Sequence, residues 1–334
     1  MKMMRMAMTA HRVINQILGL KPGEKVLIIT DTDRPRTITE ALSYSATAAG
    51  AEVVVVIMHP QEVGGQEPPG AVAAAMQVVD AVINQATQSM THTEATRAAI
   101  KKGVRVANLR NMDEDMWVRG GVTADYNYVK ALSEKLAGFL TAVKEIRLTT
   151  PNGTDLTMRA DGRRGFAQTG FARKPGQFSG LPDGEATLAP IEGSTNGVIV
   201  DPYIADQLGL ITDPFRVEIT NGRISKIEGG AQAERLKELL TRHDENADTL
   251  ASQFALGTNP ACRVMANTRE VSKKWGTAHV AQGDNATLEG KIESSMHIDY
   301  VFLNPTVYFD GQVVLDGGQL LVDVEGKEAM EQPS

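Results

Sequence analysis

The sequence predicts an α/β domain with a parallel sheet covered by helices on both faces, followed by a β-rich α+β domain. Over residues 1–146, short apolar runs alternate with helical segments. After residue 146, shorter runs of alternating polarity are separated by Asn-Gly and Asp-Gly pairs. The 334 residues, 42% of them hydrophobic and 22% charged, are enough for two globular domains with their own cores.

The first half contains four apolar, β-branched runs that indicate strands. They are Lys25–Thr30, Ala51–Met58, Val78–Ile83 and Val104–Asn108. Helical patterns cover Thr37–Ala49, Thr93–Lys102 and Tyr126–Ile146. Continuous apolar strands between helices favour a parallel sheet buried on both faces, so we expect Ala51–Met58 to be fully buried.

The second half follows the pattern of antiparallel hairpins. Its strand-like runs are Glu145–Thr150, Asp155–Arg159, Gly197–Val200, Phe215–Thr220, Ile224–Glu228, Tyr300–Phe309 and Gln312–Leu321. Turn pairs such as Asn221-Gly222 and Asp310-Gly311 separate them, and one helix is predicted over Gln232–His243. We therefore divide the chain into an α/β scaffold domain, residues 1–146, and a β-rich catalytic domain, residues 147–328.

Composition excludes several classes of function. Lys and Arg total 34 against 41 Asp and Glu, a net charge of −7, and such a chain is a poor partner for nucleic acid or an anionic membrane. The single Cys262 excludes a disulfide framework and any multi-cysteine metal site. No run approaches the ~18 apolar residues of a membrane helix, and no apolar segment of a signal peptide follows the first eight residues. We expect a cytoplasmic enzyme or binding protein whose partner is a small molecule or a short peptide.

The turn after the first strand argues against a dinucleotide site. Residues 31–36 contain no glycine, so the backbone is not bare enough to approach a pyrophosphate at a helix start. The chemistry is therefore expected in the second half.

Candidate metal ligands concentrate there. His297 and Asp299 are two residues apart, so in a strand both side chains point to one face and can bind one divalent ion. His279 lies 18 residues upstream, a distance that a hairpin can close. Glu185 ends a glycine- and proline-rich loop, and Gln253 lies in a stretch of small residues. Taken singly, each residue also has an ordinary structural explanation, such as a core histidine beside a surface carboxylate.

Taken in order, these segments resemble a known family. Leu181–Glu185 with Ala189-Pro190, Phe254–Pro260, Gly276–His279 with Gly283–Asn285, and His297–Asp299 are similar to the ligand segments of the thermophilic metallo-aminopeptidases, the aminopeptidase T and S group. The resemblance implies a homodimer with a divalent metal site in the C-terminal domain. The implied metal ligands are Glu185, His279, His297 and Asp299. Two positions depart from the family, because Gln253 replaces a glutamate and Ala286 replaces a tyrosine.

The 2,5-dihydroxypyridine 5,6-dioxygenase family is a relative of these peptidases and resembles them in its scaffold. It binds one ferrous ion through two histidines and a carboxylate. Its His-x-Asp pair matches His297 and Asp299, but its other histidine falls at Gln253. A triad of His279, His297 and Asp299 would still leave open positions for substrate and oxygen.

Three hypotheses follow from these residues. The preferred one is a metal-dependent hydrolase of an amide or peptide-like bond, with zinc, cobalt or manganese, Glu185 as ligand or general base, and Gln253 orienting water or substrate. The alternative is an Fe(II)-dependent ring-cleaving dioxygenase acting on a small hydroxylated heteroaromatic compound. The third is a metal-free protein that binds small molecules.

Overall fold

The chain divides into two units, each with its own sheets. A computed structural model describes residues 2–91 and 93–321. The first unit comprises the chain up to Tyr126 together with Thr169–Asp183, and the second comprises Asn127–Gln168 together with the chain from Gly184 onward. The predicted boundary at residue 146 differs from this division in two respects. The helix predicted from Tyr126 belongs almost entirely to the second unit, and the later segment Thr169–Asp183 belongs to the first. The predicted end of the second domain, residue 328, lies outside the described residues.

The secondary structure of the described residues alternates in the first unit and is mostly β in the second. The α-helices are α1 (Lys2–His11), α2 (Arg36–Ala48), α3 (Gly70–Ala75), α4 (Glu94–Lys101), α5 (Glu114–Arg119), α6 (Tyr126–Ala142), α7 (Ala231–Arg242) and α8 (Thr268–Ser272). A π-helix covers Arg12–Ile17, and 3₁₀ turns cover Gly121–Thr123 and Ala286–Leu288. Within the described residues, none of these helices has both the length and the apolar composition that crossing a bilayer requires.

The strands form three sheets. They are β1 (Lys25–Asp31), β2 (Glu52–Met58), β3 (Ala81–Gln85), β4 (Arg105–Asn108), β5 (Glu145–Thr149), β6 (Asp155–Arg159), β7 (Phe166–Gln168), β8 (Phe178–Gly180), β9 (Glu185–Leu188), β10 (Asn196–Val200), β11 (Ile204–Ala205), β12 (Gly209–Leu210), β13 (Phe215–Thr220), β14 (Arg223–Gly229), β15 (Gln253–Gly257), β16 (Ala278–Gly283), β17 (His297–Phe302), β18 (Thr306–Phe309), β19 (Gln312–Asp316) and β20 (Gln319–Leu320).

The first unit is built on a five-stranded parallel sheet in the order β2-β1-β3-β4-β8. The strands β1, β3 and β4 are buried almost throughout, including the polar side chains of Asn84, Gln85, Arg105 and Asn108. The last strand of this sheet, β8, comes from the returning segment Thr169–Asp183. The predicted α/β class of this region is confirmed.

The expectation that Ala51–Met58 is fully buried is wrong. Its residues form β2, an edge strand that pairs with β1 alone within the described chain. Val54 and Ile57 are 43% and 54% exposed. An apolar run predicts a strand, but it does not reveal how many neighbours that strand has, and an edge strand has only one.

The second unit contains two antiparallel sheets, and the predicted β-rich class is confirmed. The eight-stranded sheet has the order β14-β13-β10-β6-β5-β18-β19-β20, and the seven-stranded sheet has the order β12-β11-β17-β16-β15-β9-β7. The predicted helix Gln232–His243 is observed as α7, one residue earlier at both ends. The predicted helix Tyr126–Ile146 ends sooner, as α6.

One hydrophobic core joins both sheets of the second unit with α6 and α7. From the seven-stranded sheet it takes alternate residues such as Phe254, Val280 and Ile298, and from the eight-stranded sheet residues such as Leu148. Alternate residues of a strand point to opposite faces, so these side chains leave the residues between them on the other face of the sheet. The seven-stranded sheet therefore has one apolar face in the core and one face free to carry chemistry.

The side-chain carboxylate of Asp244, just after α7, is hydrogen-bonded to the segment before β17. Asp244 accepts hydrogen bonds from the Ser295 backbone N–H at 2.7 Å, the Ser295 hydroxyl at 2.7 Å and the Ser294 hydroxyl at 3.0 Å. The backbone N–H of Asn246 donates to the same carboxylate at 3.0 Å. These donors, the Ser295 backbone first, hold the pKa of Asp244 well below its usual range.

We expect Asp244→Asn to lower the thermal midpoint at pH 7 by a few degrees. A depressed pKa stabilises the folded state above the ordinary carboxyl pKa of about 3.9, and this contribution is lost as the pH falls through the folded-state pKa. The difference between wild type and variant should therefore shrink as the pH is lowered below about 4 in calorimetric scans. Asp161→Asn, which removes an exposed ion pair with Arg159, is the matched control and should change little. A difference independent of pH would contradict this explanation.

Candidate active site

The five residues predicted as ligands or catalytic groups lie on four neighbouring strands of the seven-stranded sheet. Glu185 begins β9, Gln253 begins β15, His279 lies in β16, and His297 and Asp299 lie in β17. We call the sheet surface that carries these five residues the polar face. The prediction that His297 and Asp299 share one side of a strand agrees with this placement.

The strand register places all five side chains on that same face. Glu185 lies opposite Gly257 on β15, and His279 lies opposite Ala255 on the same strand. Gln253 lies opposite Ala281 on β16, which in turn lies opposite Asp299. Residues opposite each other in an antiparallel pair, and residues two apart in one strand, point the same way.

Small side chains separate the functional groups on the polar face. Ala281 lies between Gln253 and Asp299 in a row across three strands. Ala255 lies opposite His279. Both alanines are fully buried, as are His279 and Glu185.

Glu185 is the centre of a buried polar cluster at one end of this face. Its Oε1 accepts a hydrogen bond of 2.9 Å from the Gln253 side-chain amide. Its Oε2 forms an ion pair with the Lys273 ammonium. The His279 Nε2 atom is 3.4 Å from the same oxygen. Glu185 is fully buried and Lys273 is 8% exposed, so the two charges neutralise each other away from solvent.

Lys273 was not among the residues identified from the sequence. It follows α8 in the segment between β15 and β16, and its backbone carbonyl accepts a 2.8 Å hydrogen bond from the Asn259 N–H. The sequence offers no signal that separates it from its neighbour Lys274, because both read as ordinary surface lysines. Only the fold shows that one of them is buried.

The ring of His279 makes no hydrogen bond to a described residue, although Nε2 is 3.4 Å from Glu185 Oε2. Both its ring nitrogens are buried, and neither has a hydrogen-bond partner among the described residues. Burial is the largest influence and lowers the pKa of His279, although the carboxylates of Asp299 and Glu185 act in the opposite direction. A neutral imidazole without a hydrogen bond is suited to bind a metal ion or a ligand polar group.

His297 and Asp299 form a second cluster at the other end, together with Ser252. The His297 Nε2 atom is 3.1 Å from Asp299 Oδ1, and its Nδ1 atom is 3.0 Å from the Ser252 hydroxyl. That hydroxyl donates its only proton to the Asp284 carbonyl, so it accepts from Nδ1–H. Ser252 was also missed from the sequence, since it precedes a strand and matches no motif.

In this second cluster, His297 and Asp299 each stabilise the charged form of the other. Partial burial works against protonation of the ring, but the hydrogen bond to Asp299 and the charges of Asp299 and Asp206 raise the pKa of His297 to about 9. Burial likewise disfavours the Asp299 carboxylate, but the imidazoles of His279 and His297 and the Lys273 ammonium hold its pKa well below the usual range. The pair is therefore an imidazolium and a carboxylate at neutral pH when no metal is present.

The donor chemistry of the polar face fits a divalent metal ion, but the side chains do not converge as they stand. Among the described residues, no three His, Cys, Asp or Glu side chains are grouped so that they could hold a metal ion. Two imidazoles and a carboxylate on one face are nevertheless a ligand set typical of Fe(II), and neither ring nitrogen of His279 has a hydrogen bond within the described residues.

Comparison with known proteins identifies the family. The family model described as "NicX: 2,5-dihydroxypyridine 5,6-dioxygenase" matches residues 9–322. The chain belongs to the NicX family. A 2,5-dihydroxypyridine 5,6-dioxygenase from Pseudomonas putida is 22% identical over 324 residues, covering 88% of this chain and 89% of that protein. Membership makes this chain an enzyme and confirms the resemblance to the aminopeptidase T-like group with its dioxygenase relative.

Two solved structures of related proteins share the fold of this chain. The 2,5-dihydroxypyridine dioxygenase of P. putida KT2440 superposes with a TM-score of 0.78 and 17% identity, covering 94% of this chain and 96% of that one. Wild-type AmpT from Thermus thermophilus superposes with a TM-score of 0.71 and 17% identity, covering 96% and 99%. At such identities these superpositions establish a shared fold.

The preferred prediction of a metal-dependent hydrolase is wrong. The family match and the curated relative both support the dioxygenase, which was the alternative. The residues at the site do not separate the two reactions, because Gln253 matches neither the glutamate of the aminopeptidases nor the histidine of the dioxygenases.

The buried pair of Lys273 and Glu185 predicts a strongly non-additive double-mutant cycle. Removing either charge alone leaves the other buried without a counter-charge, at a cost of about 3–5 kcal/mol. We expect Lys273→Met and Glu185→Gln each to lower the free energy of unfolding by that order. The double variant should be more stable than either single variant in denaturant titrations. Additive losses would show that the two side chains do not depend on each other.

Proposed function

We propose that this protein is an Fe(II)-dependent dioxygenase that cleaves the ring of a small hydroxylated pyridine or a similar heteroaromatic compound. The observation that carries the proposal is the NicX family match over residues 9–322, combined with two histidines and a carboxylate on one sheet face. The bare imidazole of His279 supports it, because a buried ring without hydrogen bonds needs a ligand.

The proposed iron ligands are His279, His297 and Asp299. They supply two neutral nitrogen donors and one oxygen donor, and they leave further coordination positions for substrate and oxygen. In this proposal His279, from β16, takes the place of the histidine that the resemblance to the dioxygenases puts at Gln253, on β15. The two strands are neighbours and both side chains lie on the polar face, so a histidine on either strand faces the same space.

A ferrous ion, when bound, supplies the electron chemistry that makes dioxygen reactive toward an aromatic ring. The protein's own residues bind and orient. Ser252 holds His297 by accepting from Nδ1–H, which keeps Nε2 as the atom that faces the metal. Gln253 and Glu185 hold each other in place through a buried hydrogen bond, and Gln253 lies opposite Ala281 in the strand register.

The homodimer and the cytoplasmic location remain predictions. The proposed partner is the small-molecule substrate alone, with no nucleic acid or membrane.

We expect substrate-dependent oxygen uptake from protein purified anaerobically and loaded with ferrous iron. Consumption should follow addition of 2,5-dihydroxypyridine or a related hydroxylated pyridine in an oxygen electrode, with loss of the aromatic absorbance. His279→Ala should lose bound iron and oxygen uptake together, whereas His11→Ala, an exposed histidine of the first unit, should keep both. Iron-loaded protein that leaves oxygen untouched with every hydroxylated pyridine tested would refute the proposal.

Ser252→Ala should weaken iron binding without removing a ligand. Loss of a hydrogen bond that orients a metal-bound histidine typically lowers metal affinity by about 10–100-fold. Competition with a calibrated chelator under argon measures the change. Ser225→Ala is the matched control, because that exposed hydroxyl bonds a backbone carbonyl away from the polar face. Equal affinities for wild type and Ser252→Ala would exclude an orienting role.

A further inference from the structure

The strand β2 has a free edge that carries apolar side chains. It pairs only with β1 among the described residues, and Val55 and Ile57 are 39% and 54% exposed. Edge strands of soluble proteins are commonly protected by a lysine, a proline, a bulge or a very short length. The seven residues of β2 include no lysine and no proline, and their register with β1 is unbroken. Such an edge is expected to pair with another strand.

The hydrogen bonds to β1 show which backbone groups of β2 face the free edge. The Glu52 N–H donates to the Glu24 carbonyl at 2.8 Å, and the Met58 carbonyl accepts from the Thr32 N–H at 3.2 Å. Because the direction of these groups alternates along a strand, the even-numbered residues of β2 point their N–H and C=O groups toward β1. The residues that point theirs to the free edge are the odd-numbered ones, Val53, Val55 and Ile57.

This edge is self-complementary about a two-fold axis. When two β2 strands run antiparallel with Val55 opposite its own copy, Val53 of each chain lies opposite Ile57 of the other. The N–H and C=O groups of all three residues face outward, so each opposed pair exchanges two hydrogen bonds. A two-fold contact requires one patch that matches itself, and this register provides it.

The charges of the strand permit the same register. Glu52 is the only charged residue of β2, and it lies opposite Met58 of the second copy. The two Glu52 carboxylates are then about 20 Å apart, well beyond the screening length of about 8 Å at physiological salt. The exposed His59 of one copy comes beside the start of the other β2, shortly after α2 ends at Ala48. A helix C-terminus favours a cation, so a protonated His59 is compatible with this position.

The contact extends from the strands to one helix of each copy. Val55 lies opposite Ile28 of β1, so both side chains point to one face of the parallel sheet. The core cluster on the other face includes Leu27 and Ile29 but no described residue of α2, which contacts β1 and β2 and therefore covers the face of Val55. Tyr44 of α2 is 70% exposed. A stable dimer buries about 1,200–2,000 Å² in total, and α2 with its exposed tyrosine adds to the area of the paired strands.

We propose that the free edge of β2 is the surface through which two copies of this chain form a dimer, with the strands antiparallel and Val55 on the two-fold axis. The partner is a second copy because the outward backbone groups match their own reversed sequence and no like charges meet. This inference goes beyond the proposed function and does not depend on it. It assigns an interface to the homodimer predicted from the sequence.

The mass of the protein in solution tests the dimer, measured by size-exclusion chromatography with light scattering. Wild type should have twice the mass of the 36.0 kDa chain. Val55→Lys and Val55→Glu should each be monomeric, because each variant places like charges opposite each other, and their equimolar mixture should recover a dimer. Val313→Lys, at a β19 valine that is 38% exposed, is the matched control and should remain dimeric. A monomeric wild type, or a dimer that persists in folded Val55→Lys, would overturn the inference.

Cysteine substitution tests the register independently, in case Val55→Lys does not fold. The Cα atoms of a hydrogen-bonded antiparallel pair are about 5.5 Å apart, which suits a disulfide. Val55→Cys should therefore cross-link under mild oxidation on a non-reducing gel, since the native Cys262 is buried. Val54→Cys, at a residue that is 43% exposed, should not, because Val54 lies opposite Val56 of the second copy and the two cysteines would be diagonal. Equal cross-linking of both variants, or of neither, contradicts the proposed contact.

Discussion

The two-residue alternation of the seven-stranded sheet is the constraint on which the rest of the second unit depends. Phe254, Val280 and Ile298 face the core because they alternate with Gln253, His279 and His297. A slip of one residue between β15 and β16 would bring His279 into the core and expose Val280 on the polar face. The burial of the apolar residues therefore fixes the positions of the chemical groups.

The two ends of the polar face each pair a carboxylate with a cation, but through different side chains. At one end, Glu185 is neutralised by Lys273 and held by Gln253. At the other, His297 and Asp299 form a pair whose charges depend on each other, with Ser252 setting the orientation of the ring. His279 lies between these clusters in the strand order and is satisfied by neither. The sheet thus carries a lysine–glutamate pair at one end and a histidine–aspartate pair at the other.

The sequence predicted the fold class and the shared face of His297 and Asp299, because both follow from strand periodicity. It did not predict the exposure of β2, since an apolar run does not reveal its place in a sheet. Lys273 and Ser252 could not be found from the sequence either. The role of Lys273 depends on where its loop lies in the fold, and the role of Ser252 depends on a tertiary hydrogen bond. The class of reaction was misjudged for a related reason. The two groups of enzymes share their ligand motifs, and at Gln253, where they differ, this chain has the residue of neither.

The separation of core and chemistry between two faces of one sheet has an evolutionary consequence. The donors project onto the polar face from four strands, with His297 and Asp299 sharing β17, so one donor can be exchanged, or moved to the next strand, without disturbing the packing beneath it. Point substitutions can then alter the number of cations and the reaction while the fold stays intact. Such a sheet is a favourable starting point for natural selection and for directed evolution alike.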